Sequence, residues 1–258
     1  MQLPIYQVDA FTDRVFCGNP AAVVPLESWL PVETMQSIAL ENNLSETAFI
    51  VREGGGYRIR WFTPAVEVAL CGHATLASAH VIFEKLGHAS DDVNFESQSS
   101  GPLRVFREDG RLVLDFPSRP GDACNAPAQL VEALGATPTE VREAPYWLCV
   151  LESEAEVAAL APDMRGLANF EPVIATAAGT DVDFVSRMFA PNHGIDEDPV
   201  TGSAHCTLTP YWSKRLGKKT LTARQISARV GDLICEDHGE RIHVAGHTVL
   251  YLEGTISI

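Results

Sequence analysis

The 258-residue sequence holds no Cys-x-x-Cys pair, no uncharged stretch near membrane-spanning length and little positive charge. Its six cysteines, Cys17, Cys71, Cys124, Cys149, Cys206 and Cys235, are dispersed. In a chain this long that spacing argues for free thiols, against a disulfide frame and against structural zinc. Nineteen Lys and Arg against 34 Asp and Glu give a formal net charge of −15. The cations are scattered, so neither nucleic acid nor a membrane surface is an expected partner, and an anionic ligand has to be held by local dipoles. The first ten residues carry no basic segment leading into an apolar one, which makes a cytoplasmic location the expectation.

What the chain does contain is an internal repeat. Arg60-Trp-Phe-Thr-Pro64 leads to Cys71-Gly-His-Ala-Thr75, and Arg187-Met-Phe-Ala-Pro191 leads to Thr201-Gly-Ser-Ala-His205. Leu86-Gly87 returns as Leu216-Gly217, and Glu108-Asp-Gly110 returns slightly out of step as Glu236-Asp-His-Gly239. A period of about 130 residues is too long for a solenoid unit and points to a duplicated lobe. The expected organisation is an N-terminal lobe over 1–118, a Pro/Gly-rich linker over 119–127 and a C-terminal lobe over 128–258, with terminal strands free to cross between lobes.

Short β-branched and aromatic runs predict strands at 5–8, 47–51, 57–62, 103–107, 112–116, 147–151, 183–188, 241–245 and 249–252, with hairpin turns at 108–110 and 236–239. Apolar positions Ala74, Val81, Ile82 and Leu86 share one helical face, as do Ala204, Tyr211, Trp212 and Leu216. Each lobe should therefore wrap strands about one largely buried helix that ends at Leu-Gly. Further helices are expected over 32–42, 128–134 and 154–160. The fold class is α+β, in two pseudo-repeated lobes.

Helices starting at Gly72 and Gly202 expose unpaired N–H groups at the positive end of the dipole, and glycine allows close approach. Two such starts facing one cleft would make a paired anion site. Three ionisable groups lie nearby: His73, Asp198 and Glu46. Glu46 opens a predicted apolar strand, where partial burial would raise its pKa and suit it to taking and returning a proton. Structural roles also fit each singly: a solvated turn residue for Glu46, a turn former before Pro199 for Asp198, a helix-start hydrogen-bonder for His73.

Gly18-Asn-Pro20, Asn43-Leu-Ser-Glu-Thr47, Phe62-Thr-Pro64, Cys71-Gly-His-Ala-Thr75 and Glu197-Asp-Pro-Val-Thr-Gly-Ser-Ala204, in that order, resemble the phenazine-biosynthesis isomerase-like (PhzF-like) family, which has the diaminopimelate epimerase type of fold. The resemblance spans essentially the whole chain. It implies two lobes, each a strongly curved sheet around a central helix, an active site in the cleft between them, no metal or organic cofactor, and commonly a homodimer. It also implies Glu46 as the acid/base, with His73 and Asp198 beside it, and Ser45, Gly72, Thr201, Gly202 and Ser203 as substrate-binding residues. Epimerases of this fold carry a catalytic thiol at each helix start. Here Cys71 fills the first position and Thr201 the second, and a threonine hydroxyl cannot replace the second thiol. The activity these readings favour is a cofactor-independent isomerase that moves a proton and a double bond on a small carboxylate-bearing metabolite. A racemase using Cys71 with another base, or a non-catalytic ligand-binding protein, are the rivals.

Overall fold

The structure, a computed structural model, describes residues 1–98 and 100–258. The chain divides into two units, Met1–Asp115 with Ala245–Ile258, and Phe116–Val244. The first holds β1 (Gln2–Ala10), β2 (Asn19–Leu26), α1 (Val32–Asn42), β3 (Glu46–Glu53), β4 (Gly56–Phe62), β5 (Glu67–Val68), α2 (Gly72–Glu84), β6 (Asp92–Ser97), β7 (Gly101–Glu108) and β8 (Arg111–Pro117). The second holds β9 (Asp122–Cys124), α3 (Ala128–Leu134), β10 (Glu140–Glu143), β11 (Trp147–Val150), α4 (Glu154–Ala159), α5 (Met164–Leu167), β12 (Val173–Ala178), β13 (Phe184–Ala190), β14 (Ile195–Asp198), α6 (His205–Leu216), β15 (Thr220–Gln225), β16 (Gly231–Asp237) and β17 (Arg241–Gly246). The final strand, β18 (Thr248–Ser257), belongs to the first unit.

In the first unit β18 runs antiparallel to β1, from Gln2↔Ser257 to Ala10↔Thr248. β1 pairs antiparallel with β2, β2 parallel with β3, and β3 antiparallel with β4. β4 continues parallel to β6 and β6 antiparallel to β7, while β5 lies against the end of β4. Parallel pairing of β2 and β3 requires a crossover, and α1 supplies it. The period-two alternation of a strand then sorts the side chains. Ala22, Val24, Leu26, Phe49 and Val51 face α1 and join Met35, Ile38 and Ala39 in one buried cluster. Asn19, Ala21, Val23, Glu46, Ala48 and Ile50 point to the opposite face, where α2 packs and where they too are buried, apart from a fraction of Glu46. A large apolar side chain buried this way contributes roughly 1.5–3 kcal/mol.

The second unit repeats the plan. β10 pairs antiparallel with β9 and β11, β11 parallel with β12, β12 antiparallel with β13. β13 runs antiparallel to β14 and parallel to β15, and β15 antiparallel to β16. Val173, Ala175, Ala177, Val185 and Phe189 pack with residues of α3, α4 and α5. The alternate set faces α6: Trp212 Nε1 donates to Thr176 Oγ1 at 3.0 Å, and its ring stacks on Phe184 with centroids 5.7 Å apart.

The repeat is visible in chemistry as well as topology. Arg60 makes a bidentate pair with Glu67 at 2.7 and 2.6 Å and lies over the Phe62 ring. Arg187 does the same with Glu197, at 2.8 Å for both bonds, over Phe189. Both arginines sit on the strand before the helix, and both glutamates on the short strand that follows, opposite Phe62 and Phe189.

Several expectations shift. The expected linker lies within the second unit, where Asp122–Cys124 pair with β10. The carboxy-terminal strand, left free to cross between lobes, lies with the first unit and pairs with β1 along its length. The first buried helix ends at Glu84, capped by Lys85 in αR conformation. Gly87, at φ +68, follows in the turn, which leaves Leu86 exposed. The second helix does end at Gly217, but it is entered through a 3-10 turn over Gly202–Ala204, and Leu216 is likewise exposed. All six cysteines are free thiols.

Candidate active site

In the first unit the parallel strands β2 and β3 begin at the same end of the sheet, and their first residues are Asn19 and Glu46. Gly18 sets this start: it turns the chain at φ +64, and a Cβ there would meet the Ala10 carbonyl oxygen at 2.1 Å. Only glycine permits that approach. Both side chains project to the α2 face, where His73 occupies the first turn of the helix. Glu46 Oε2 lies 3.1 Å from His73 Nε2, Asn19 Nδ2 lies 3.1 Å from His73 Nδ1, and Cys71 Sγ lies 3.5 Å from the same nitrogen. Ser45 is half-buried immediately before β3.

Burial is the largest influence on His73 and lowers its pKa, but its neighbours Cys71 and Glu46 outweigh it, and the net result lies well above the ordinary imidazole value. Burial pushes the Cys71 thiol up to about 11, with Glu46 adding to the rise and His73 opposing it. A thiol that stays protonated to that pH carries no charge at neutrality, so the partner that holds the His73 proton there is the Glu46 carboxylate. The two face each other at hydrogen-bond distance without hydrogen-bond alignment, and neither Glu46 Oε2 nor His73 Nε2 has an aligned protein partner among the described residues. An oxygen so placed retains a lone pair for a substrate proton. Glu46, Cys71 and His73 each offer a donor atom within 4.8 Å of the others. A metal held there would have to displace the thiol proton.

In the second unit Asp198 ends β14, and the chain turns through Pro199 and Val200 into the 3-10 start. Thr201 Oγ1 donates to Asp198 Oδ2 at 2.5 Å. Gln225, fully buried on β15, accepts from Thr201 N at 2.8 Å and donates to the Asp198 carbonyl at 2.7 Å. With the Thr201 amide consumed, Gly202 and Ser203 present the first free amides of the turn. Ser203 Oγ lies 3.2 Å from the Tyr146 hydroxyl, whose pKa is raised by burial against the opposing bond to Ser203. His205 is buried to the point that its pKa falls to about 4, only partly offset by the Thr201 carbonyl at 2.8 Å. It is therefore neutral and structural. Thr75 plays the same part in the first unit, its hydroxyl bonding the carbonyl four residues back at Cys71.

The first unit thus brings Glu46 and His73 together, and the second brings Asp198, Thr201, Gly202 and Ser203 into one turn. Sequence reasoning gave no role to Asn19, Gln225 or Tyr146. Asn19 carried a signal in Gly18-Asn-Pro20, and Gln225 carried none beyond being a polar residue in a strand.

The family described as phenazine biosynthesis-like protein matches residues 8–254. An uncharacterized isomerase of Pseudomonas aeruginosa is 56% identical over 261 residues, covering 100% of both chains. The crystal structure of a PhzF-family phenazine biosynthesis protein from Enterococcus faecalis superposes with a TM-score of 0.95 at 47% identity, covering 100% of both chains. A predicted epimerase of Pseudomonas aeruginosa, TM-score 0.76 over 98% of this chain and 99% of its own at 20% identity, shares the fold. These matches agree with the motif resemblance: the chain belongs to the phenazine biosynthesis-like, PhzF family and stands among its isomerases.

Proposed function

We propose that the protein is a cofactor-independent isomerase in which Glu46 takes a proton from one carbon of a small carboxylate-bearing metabolite and returns it to another, moving a double bond. The observation that carries this reading is the buried Glu46–His73 pair, 3.1 Å apart, with the carboxylate oxygen not aligned to any protein donor among the described residues. A carboxylate and an imidazolium in contact exchange between charged and neutral forms with little change in net charge, which keeps proton transfer inexpensive in a dry site. Asn19 contacts the ring's other nitrogen: its amide N–H can donate to Nδ1 of the neutral ring, and its Oδ1, once turned inward, can accept from Nδ1–H of the imidazolium. Within the second unit we assign carboxylate binding to the Gly202 and Ser203 amides with Thr201, which Asp198 holds in place, and within the first unit we assign substrate contacts to Ser45 and Gly72. Donors of this kind stabilise a delocalised anion that develops during the reaction, each worth about 2.7–4 kcal/mol in comparable sites.

The second unit supports a single base. Thr47 pairs with Phe62 and Val173 with Phe189, so the position equivalent to Glu46 is Pro172. A proline carries no proton acceptor in its side chain, and Thr201 stands where a second thiol would be needed.

A panel of small carboxylates incubated with the enzyme in deuterated water and read by mass spectrometry tests the proposal. Deuterium should enter at a carbon with migration of unsaturation. Exchange confined to one α-carbon and lost in Cys71→Ser would favour the racemase, and tight binding with no exchange would favour a binding protein. We also propose a homodimer, for which sedimentation at several concentrations is the check.

A further inference from the structure

A second group of ligand atoms lies on the β16–β17 hairpin. In β16 the buried residues are Gly231, Leu233 and Cys235, and in β17 they are Ile242, Val244 and Gly246. Period-two alternation therefore places Glu236 and His243 on the other, outward face of the hairpin. His238 comes from the intervening turn, which is closed by its own amide donating to the Arg241 carbonyl at 3.0 Å. Its Nε2 lies 3.2 Å from Glu236 Oε2, and the His238 and His243 rings approach with centroids 4.3 Å apart. One donor atom from each of the three residues falls within 4.8 Å of the other two.

The geometry points to a binding site for a borderline divalent transition ion, of the zinc class, held by Glu236, His238 and His243. An ion about 2.0–2.1 Å from each donor sets tetrahedral ligand atoms roughly 3.3 Å apart. The Glu236–His238 separation already matches this, and the exposed His238 side chain has the freedom to close the remainder. Two imidazoles and one carboxylate suit zinc, nickel, cobalt or copper, and are too nitrogen-rich for calcium or magnesium. Three protein ligands leave a position for water. A bound ion would tie β16, the turn and β17 together, so it would stabilise the folded chain without entering the isomerase chemistry. Sequence spacing hides the group: the ligands are two and five residues apart along the chain, and only the hairpin folds them into one cluster.

The test is zinc titration of the full chain, with cobalt as a spectroscopic probe. Cys71→Ser is included because Glu46, Cys71 and His73 form the other candidate group. Zinc should bind the wild type and Cys71→Ser alike, and raise the unfolding temperature of both. His238→Gln and His243→Gln should each weaken binding at least roughly tenfold, since loss of a mere supporting group costs ten- to hundredfold at a metal site. Bound cobalt should show no thiolate-to-metal charge-transfer band. Unchanged affinity in both histidine variants would overturn the proposal. So would a thiolate band accompanied by loss of binding in Cys71→Ser. His238 is exposed, and circular dichroism of His238→Gln verifies that a loss of binding is not a loss of fold.

Discussion

Glu46→Gln keeps the size of the side chain and removes its charge and its ability to accept a proton, so its consequences for stability and for turnover can be read separately. In the wild type the folded-state pKa of His73 is raised above its unfolded value. The stabilisation this gives is fully present below pH about 6.5 and fades as pH rises through the folded value. In the variant Glu46 no longer contributes, and burial, already the largest influence on both His73 and the Cys71 thiol, is left to lower the first while it keeps the second protonated at neutral pH. His73 should then titrate below its unfolded value, and its contribution changes sign: stability is lost as pH falls. The gap in unfolding free energy between the two proteins should be small above the wild-type His73 pKa. It should widen on acidification by up to about 1.4 kcal/mol per pH unit, until other carboxylates titrate.

Turnover should fall by about 10²–10⁴-fold, the usual contribution of a general base, or roughly 3–5.5 kcal/mol of barrier. Denaturant unfolding at several pH values, histidine NMR and the rate of deuterium incorporation into an accepted substrate measure the three quantities. A stability gap that is the same at every pH would refute the assignment of the His73 proton to Glu46. Exchange near the wild-type rate would refute the shuttle.

Gln225→Leu orphans the buried Thr201 amide, at about 1–3 kcal/mol for an unsatisfied group, and should lower both stability and affinity for an accepted carboxylate; unchanged affinity by calorimetry would show that Gln225 does not position the turn. Cys71→Ser should retain substantial exchange activity, because a thiol pushed up to about 11 is a poor base at neutral pH and Thr201 cannot act as its partner; complete inactivation of a folded protein would restore the racemase. Exhaustive chelation should lower the unfolding temperature of zinc-loaded protein and leave turnover unchanged, and activity recovered only on adding back metal would contradict the cofactor-free mechanism.

The parts of the molecule legible in the sequence are those with a local rule behind them. Val32–Asn42 and Ala128–Leu134 are helices over the expected residues because apolar spacing and flanking Pro and Gly or Asn mark both ends. Glu46 and His73 were legible as candidates, since a carboxylate opening an apolar strand and a histidine at a helix start are local anomalies. Their mutual contact was not legible, because it depends on the parallel pairing of β2 with β3 and the packing of α2 on one face. Gln225 was hidden for the same reason: a polar strand residue is identical in sequence whether it meets solvent or holds a buried amide. Residues 119–127 read as a linker because proline suppresses strand signals, although an edge strand such as β9 tolerates proline on either side.

The two units also show which features of a duplicated scaffold stay and which change. The Arg60–Glu67 and Arg187–Glu197 pairs recur in both units, tying the long strand to the short one after it, and so do the bonds from Thr75 and His205 back to the carbonyls of Cys71 and Thr201, which close the turn at the helix start. The residues that would touch a substrate diverge: Cys71 against Thr201, His73 against Ser203, Glu46 against Pro172. A second buried carboxylate–imidazole pair would need its own partners to offset several kcal/mol of desolvation per ion, and an unmatched charge there would cost more than it could return in catalysis. Neutral hydroxyl and amide donors avoid that cost and still bind an anion. The contrast follows from electrostatics: the first unit holds a buried carboxylate–imidazole pair, and the equivalent positions of the second hold a proline and neutral hydroxyl and amide groups, which carry no desolvation cost of that size.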